Sequence, residues 1–326
     1  MKAILCERWG GPETLRIGTV PIPQPSRDEL LVGPQAWAAN FADLVLIGGS
    51  YHLKPALPFV PGMEIAGRVV SVGDAVSAFK PGDRVACYVE SGGFAEYVVA
   101  RPDATMLLPE GMPYETGAAF PATYGTAHIA LTHRARVERG ESLLVLGAAG
   151  GVGLAAVELG KLLGASVIAA ASSAEKLQVA AEHGADHVVN YAADPLVQRV
   201  KALTNGRGVD VIFDPVGGDR FDDALRCLAF EGRLVVIGFA SGRIPTASAG
   251  RLLIKSTGVM GSSWTFSLKQ RPALVRKAFE DLSSWYASGA LRPRIHAVMP
   301  FEKAADALRL LSQRTVSGKI VLTKRT

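Results

Sequence analysis

The sequence predicts a two-domain α/β protein: a partly open β-barrel followed by a doubly wound parallel sheet. Three observations carry this expectation. The chain of 326 residues is about twice the size of a typical domain. Glycine and proline punctuate its first third at close intervals and leave only short apolar pieces between them. From about Pro121 onward, apolar runs alternate with helix-compatible segments, as in strands joined by right-handed crossovers.

In chain order, Val20 to Pro25 holds prolines at alternate positions and is expected to be extended, and Glu29 to Val32 resembles a strand. Turn signals at Pro61-Gly62, Gly73-Asp74, Pro81-Gly82-Asp83 and Gly92-Gly93 bound expected strands at Ala66–Val72, Arg84–Tyr88 and Ala95–Val99. The second domain should begin with a strand at Ser142–Leu146, a helix from Gly151 to Leu163, a strand at Ser166–Ala171 and a helix from Ala174 to His183. Further strands are expected at His187–Val189, Val209–Phe213, Gly232–Ile237 and Thr257–Met260. The chain then reads as helical from Trp264, mainly over Pro272–Ser288, and ends in a strand-like Gly318–Leu322. A lone final strand needs a sheet to join, so it is expected to return to the first domain. The expected domains are therefore residues 1–123 with 264–326, and residues 124–263.

Composition excludes several classes. With 48% hydrophobic and 20% charged residues the chain can bury two cores. A net charge of +5 without any long basic run argues against nucleic-acid binding. Lys2, Glu7 and Arg8 interrupt a signal-peptide core, and the most apolar segment, Leu143–Leu163, contains Glu158, Lys161 and five glycines, a poor membrane span. Three cysteines far apart, Cys6, Cys87 and Cys227, fit a reducing compartment. A cytoplasmic protein that binds neither membrane nor nucleic acid is expected.

The sharpest motif is Gly147-Ala148-Ala149-Gly150-Gly151-Val152-Gly153, between an expected strand and an expected helix. Glycines there allow a tight turn and close backbone approach to a pyrophosphate, which the amides of Gly150, Gly151, Val152 and Gly153 would face. Ala148 stands where the commonest form of the pattern has glycine.

Four blocks of the first domain, Asn40-Phe41-Ala42-Asp43, Pro58 to Gly67, Gly82-Asp83-Arg84-Val85 and Gly92 to Tyr97, together with the glycine turn, resemble medium-chain dehydrogenases/reductases across essentially the whole chain. The resemblance implies a GroES-like catalytic domain, a Rossmann domain, an active-site cleft between them and a homodimer formed through the nucleotide domain. Zinc-dependent members have a ligand histidine in a Gly-His-Glu block and a ligand cysteine near the position of Asn40. Here Met63 replaces the histidine in Gly62-Met63-Glu64, and no cysteine is near. A thioether is a poor zinc ligand, so no metal is expected. Glu64 is then expected to be a buried carboxylate bonded to local backbone.

Without a Lewis acid the substrate must accept hydride without strong carbonyl polarisation, as quinones and conjugated enones do by delocalising the charge. The resemblance narrows to zinc-independent quinone oxidoreductases of the zeta-crystallin-like type. It implies Asn40 near the nicotinamide ribose and substrate, with an amide able to donate to a developing oxyanion, and Tyr51 in the pocket as a stacking partner or proton donor. Thr126, Phe239 and Ser241 are expected beside the nicotinamide.

NADPH is the expected cofactor. The strand ending at Ala171 leads into Ser172 and Ser173 with no acid at the position that would bind a ribose 2′-hydroxyl, and Lys176 follows. Tyr191 and Arg314 resemble positions that flank the 2′-phosphate in NADPH-using relatives. Two other readings stay open: an NADPH-dependent enone, alkenal or enoyl-thioester reductase, and a cofactor-binding structural or RNA-binding protein with little catalysis.

Overall fold

A computed structural model describes residues 1–324. They form two compact units: Met1–Ala122 with Ser267–Ser283 and the chain from Pro293 onward, and Thr123–Phe266 with Ser284–Arg292.

The first unit opens with an antiparallel pair, β1 (Lys2–Cys6) and β2 (Leu15–Thr19). Next come β3 (Leu30–Ala39), α1 (Phe41–Ile47), β4 (Glu64–Val72), β5 (Arg84–Tyr88), β6 (Val98–Ala100), β7 (Thr105–Leu107) and α2 (Tyr114–Ala118). The helix α3 (Pro121–His128) carries the chain into the second unit.

There β8 (Ser142–Leu146), α4 (Gly151–Leu162), β9 (Ser166–Ala171), α5 (Ala174–Glu182), β10 (His187–Asn190) and α6 (Leu196–Leu203) alternate. They are followed by β11 (Val209–Asp214), α7 (Gly218–Cys227), β12 (Leu228–Val236), α8 (Ala249–Ile254) and β13 (Gly258–Gly261). The remaining elements are α9 (Trp264–Gln270), α10 (Pro272–Ala287), β14 (Ile295–Pro300), α11 (Ala304–Ser312) and β15 (Lys319–Thr323). No helix among the described residues is long and apolar enough to cross a membrane.

The first unit's main sheet has the order β14-β15-β3-β4-β5-β7, with β6 also on β3. The strand expected at Glu29–Val32 continues to Ala39. It changes partner on the way: Leu30–Val32 pair with β6, and Ala36–Ala39 pair with β15. Pro34, which has no N–H to offer, sits at the register shift between these halves. β15 runs antiparallel to β3, with Ile320 opposite Ala39. β14 and α11 were not anticipated. β14 alternates half-buried with exposed residues over most of its length at the sheet edge, and its apolar run, Ala297-Val298-Met299, is short and closed by Pro300.

The second sheet is all parallel in the order β10-β9-β8-β11-β12-β13. The order reverses between β8 and β11, and in such sheets ligands bind outside the carboxyl ends of the strands at that point. All five residues of β8 are buried, as expected of a strand covered on both faces. Leu144, Leu146, Ile168, Val189, Ile212 and Phe221 form part of its core.

One close approach sets how α4 leaves β8. A Cβ on Gly153 would lie 2.3 Å from the Gly147 carbonyl oxygen and 2.9 Å from the Ala148 Cα, both backbone atoms. Gly153→Ala should therefore cost about 1–3 kcal/mol from overpacking, more than offsetting the roughly 1 kcal/mol alanine gains in a helix. Urea unfolding should show a lower midpoint at an unchanged m-value. A midpoint at or above that of the parent chain would show that the turn has room to spare.

Candidate functional site

The carboxyl edge of the second sheet gathers most of the expected nucleotide-side residues. After β8 the chain turns through Gly147 at φ +57, a conformation that glycine adopts without steric cost. Gly150 caps α4, and the first i→i−4 bond runs from the Leu154 N–H to the Gly150 carbonyl at 2.8 Å. The amides of Gly151, Val152 and Gly153 lie ahead of that bond, at the positive end of a twelve-residue helix. Donors in this arrangement fit an anionic pyrophosphate.

On one side of this turn, β9 ends at Ala171. Ser172 is exposed, and Ser173 caps α5, its Oγ accepting from the Lys176 backbone N–H at 3.4 Å. The Glu175 carboxyl is held below its ordinary range by its own backbone amide and the Ser173 hydroxyl, so this acid is engaged within the cap. Lys176 is half-buried in the first turn of α5. The Tyr191 N–H donates to the Ala171 carbonyl at 3.1 Å, which places Tyr191 beside the end of β9. The Arg220 guanidinium lies over the Tyr191 ring at 5.3 Å.

On the other side, Asp214 ends β11, fully buried. Its Oδ1 accepts from the Val216 and Gly217 N–H groups at 2.8 and 2.9 Å. Burial raises its carboxyl above the ordinary range, while the Gly217 and Val216 amides pull the other way. These bonds curl the loop so that Val216 reaches the Gly147 turn, where a Cβ would meet Val216 Cγ2 at 3.1 Å. The loop after β12 is stitched to the same curl by the Ala240 and Ser241 N–H groups, which donate to the Pro215 and Val216 carbonyls at 3.1 and 2.9 Å. It carries Phe239, which is 38% exposed, and Ser241. Thr126 is half-buried on α3.

In the first unit, three neighbouring strand ends bring together Asn40, Glu64 and Lys319. Asn40 follows β3 and caps α1, Glu64 opens β4, and Lys319 opens β15. The Lys319 Nζ donates to Asn40 Oδ1 at 2.5 Å and to Glu64 Oε2 at 2.9 Å. Asn40 Nδ2 donates to Glu64 Oε2 at 3.0 Å and makes a longer contact of 3.4 Å with the Ala38 carbonyl. Glu64 Oε1 accepts from the Ala122 N–H at 2.6 Å. Glu64 is buried, as expected, but its backbone partner is not local, since Ala122 is 58 positions away, and it also bonds an ammonium that no motif in the sequence signals.

Asp43 lies fully buried next to this group, and its Oδ2 accepts from the Asn40 N–H at 2.8 Å. Burial pushes its carboxyl up to about 7 against the Asn40 amide and the Lys319 ammonium, with the Glu64 charge adding to the rise.

Met63 is buried, with its sulfur 4.0 Å from the Tyr88 hydroxyl. Tyr51 follows α1, whose other end Asn40 caps, and its ring packs at 4.1 Å on that of His52. Arg314 also lies in the first unit, exposed just after α11, whereas Lys176 and Tyr191 lie in the second. Lys319, Asp214 and Arg220 are the residues that sequence reasoning passed over. A lysine opening an apolar strand and an acid closing one were the available signals for the first two. Arg220, inside a polar helix, gave none.

Residues 26–110 match the alcohol dehydrogenase GroES-like domain, and residues 151–283 match the zinc-binding dehydrogenase family. Quinone oxidoreductase-like protein 2 of Mus musculus is 38% identical over 99% of this chain and 92% of its own length. Two solved structures are similar over 99% of this chain and 100% of theirs. One is the Escherichia coli quinone oxidoreductase complexed with NADPH, at a TM-score of 0.92 and 31% identity. The other is a mycobacterial protein complexed with NADPH, at 0.94 and 34%.

The buried Asp43 carboxyl makes stability depend on pH in a definite sense. Between the ordinary carboxylate value of 3.8 and about 7 the folded chain keeps a proton that the unfolded chain has lost. Its contribution to stability therefore falls as pH rises through that window and is level above it. Asp43→Asn cannot titrate, so its stability relative to the parent should rise from pH 4 to pH 8, by at most about 4 kcal/mol. Urea unfolding of both chains at several pH values checks this. Parallel stability curves would show an ordinary carboxyl.

Proposed function

Because the chain belongs to the zinc-independent quinone oxidoreductase family of medium-chain dehydrogenases/reductases, we propose that it is an NADPH-dependent reductase of quinones. The observation that carries the cofactor choice is the carboxyl edge of the second sheet. It combines a glycine cradle for the pyrophosphate with an end of β9 where hydroxyls and Lys176 stand in place of an acid. Ser172, Ser173, Lys176 and Tyr191 would hold the 2′-phosphate, and Arg314 is the further cation that the family resemblance points to. The amides of Gly151, Val152 and Gly153 would hold the pyrophosphate. Gly150, whose own N–H donates to the Gly147 carbonyl at 3.0 Å rather than to a ligand, would line it by close backbone approach. Thr126, Phe239 and Ser241 would line the nicotinamide. When bound, NADPH supplies a hydride, two electrons and one proton, from C4 of its nicotinamide. A quinone that accepts it becomes a hydroquinone after taking one further proton from water.

Residues 1–123 and 264–326 would serve as the catalytic domain, with Asn40 and Tyr51 on the substrate side, and residues 124–263 as the NADP-binding domain. Asn40 would orient the acceptor through the amide hydrogen that makes only the long contact with Ala38. Met63, in the position of a ligand histidine, supports a reaction that needs no zinc. We also propose a homodimer formed through the second unit, where the edge strand β13 follows Leu253 and Ile254, both 81% exposed. The site of action we propose is the cytoplasm.

NADPH absorbance followed with a naphthoquinone, with an alkenal and with no acceptor tests the reading. Quinone-dependent oxidation should be fast, favour NADPH over NADH in kcat/KM, and persist in strong chelator. Faster turnover with the alkenal would assign an enone reductase, and no turnover with either would leave a cofactor-binding protein. Activity lost in chelator and restored by zinc would overturn zinc independence.

The cofactor preference has its own test in Lys176→Ala. A charge-assisted bond to the phosphate is worth roughly 1.5–3 kcal/mol. The variant should thus lose about one to two decades in NADPH affinity and little with NADH. Its NADPH affinity should also be less sensitive to salt. An equal loss for both cofactors would sink this role.

A further inference from the structure

The ammonium of Lys319 is shared by a carboxylate and a neutral amide, and both are needed to explain its place. The Lys319 side chain is 8% exposed and that of Glu64 0%, so both charges are stripped of water. Such a pair gives little net stability compared with an apolar pair of similar size, because desolvation offsets the attraction. Charge balance asks only for Glu64. Yet Nζ lies closer to Asn40 Oδ1, at 2.5 Å, than to Glu64 Oε2, at 2.9 Å.

This contact orients the Asn40 amide. An ammonium offers only donors, so the amide must turn its oxygen to Lys319 and its nitrogen to Glu64. The three strand ends leave little room for another arrangement, since Ala38 pairs with Glu64 and Ala39 with Ile320. A cation on the amide oxygen also draws electron density through the amide and strengthens its N–H groups as donors. One of these hydrogens is committed to Glu64, while the other has only the 3.4 Å contact with the Ala38 carbonyl.

We infer that Lys319 is a positioning residue for the proposed reduction, holding and polarising the Asn40 amide so that its second N–H meets the substrate oxygen on which charge collects. This rests on the quinone reductase reading for its catalytic meaning, but the hold on Asn40 is a property of the chain alone.

The test uses the full chain in three forms: Lys319→Arg, Lys319→Met, and Lys319→Met combined with Glu64→Gln. The double variant removes both charges together and so guards against misfolding from an uncompensated carboxylate. The first measurement is solvent exchange of the Asn40 side-chain amide by NMR without cofactor, its signal identified by its loss in Asn40→Ala. Exchange should be at least roughly 10-fold faster in the double variant. The second is turnover of NADPH with a naphthoquinone. There kcat should fall roughly 10- to 100-fold with KM for NADPH within about twofold, and Lys319→Arg should recover most of the loss.

A folded double variant with unchanged Asn40 exchange overturns the inference, as does faster exchange with an unchanged kcat. A parent chain that oxidises no NADPH with any quinone overturns the functional reading instead. In that case the exchange measurement alone still decides whether Lys319 holds Asn40.

Discussion

The burial of one ammonium between a carboxylate and an amide is the constraint on which the first unit depends. Lys319, Glu64 and Asn40 come from positions far apart in sequence, and each is the terminal or flanking residue of a different strand. A buried charge that loses its partner is costly by several kcal/mol, so the three strand ends must arrive in register. This fixes where β15 starts against β3 and where β4 starts against the end of β3. It also gives the chain end a reason to return, because the only ammonium bonded to Glu64 among the described residues lies on the last strand. The same network reaches backbone: Glu64 accepts from Ala122, and Asp43 accepts from Asn40. A slip of one residue in β15 would turn Lys319 to the other face of the sheet and leave Glu64 without its counter-charge.

The second unit solves a different problem by different means. On the proposed reading its ligand is a polyanion, and the helix amides at Gly151, Val152 and Gly153 can face it with no side-chain charge. What that requires is space at Gly153, where a Cβ would meet the Gly147 carbonyl and the Ala148 backbone, and a left-handed turn at Gly147. Asp214 does the supporting work, using one oxygen to curl the following loop and hold Val216 against the turn. Burial raises the pKa of that carboxyl, and the Gly217 and Val216 amides oppose the rise. The loop that carries Phe239 and Ser241 hangs on the same curl by two backbone bonds. Cradle, curl and loop therefore form one connected rim along the sheet edge.

These two solutions explain what could be read from the sequence. A backbone cradle is local, so its glycines are adjacent in the chain and the motif at 147–153 was legible at once. The parallel sheet was legible for a similar reason: β8, β9 and β11 are nearly continuous apolar runs because both faces are covered. The ionic network was not legible as such, since its members are separated by up to 279 positions and no spacing rule links them. The resemblance points to Asn40 and to an amide able to donate, and only the structure shows what that amide already bonds. Ser173 stands out in the sequence only as a hydroxyl at the end of β9, and the structure adds that its Oγ accepts from the helix it caps. β14 escaped because its apolar run, Ala297-Val298-Met299, is short and lies between His296 and Pro300, as a half-exposed edge strand allows.

The identity of the buried cation bears on the chemistry the first unit can support. A zinc ion bound directly to a carbonyl oxygen would polarise it before hydride arrives, and that ion needs ligands which Met63 does not supply. An ammonium already neutralised by Glu64 exerts a much weaker field, and on the proposed reading it acts on a substrate only through the Asn40 amide. Such a donor stabilises charge as it develops on an oxygen and does little to activate an isolated carbonyl in advance. The acceptors that suit it are those whose own π-system spreads the incoming charge, so that one well-held N–H is enough. On the proposed reading, the exchange of a metal-ligand histidine for Met63 and the choice of a quinone over a simple carbonyl compound are two consequences of one electrostatic arrangement.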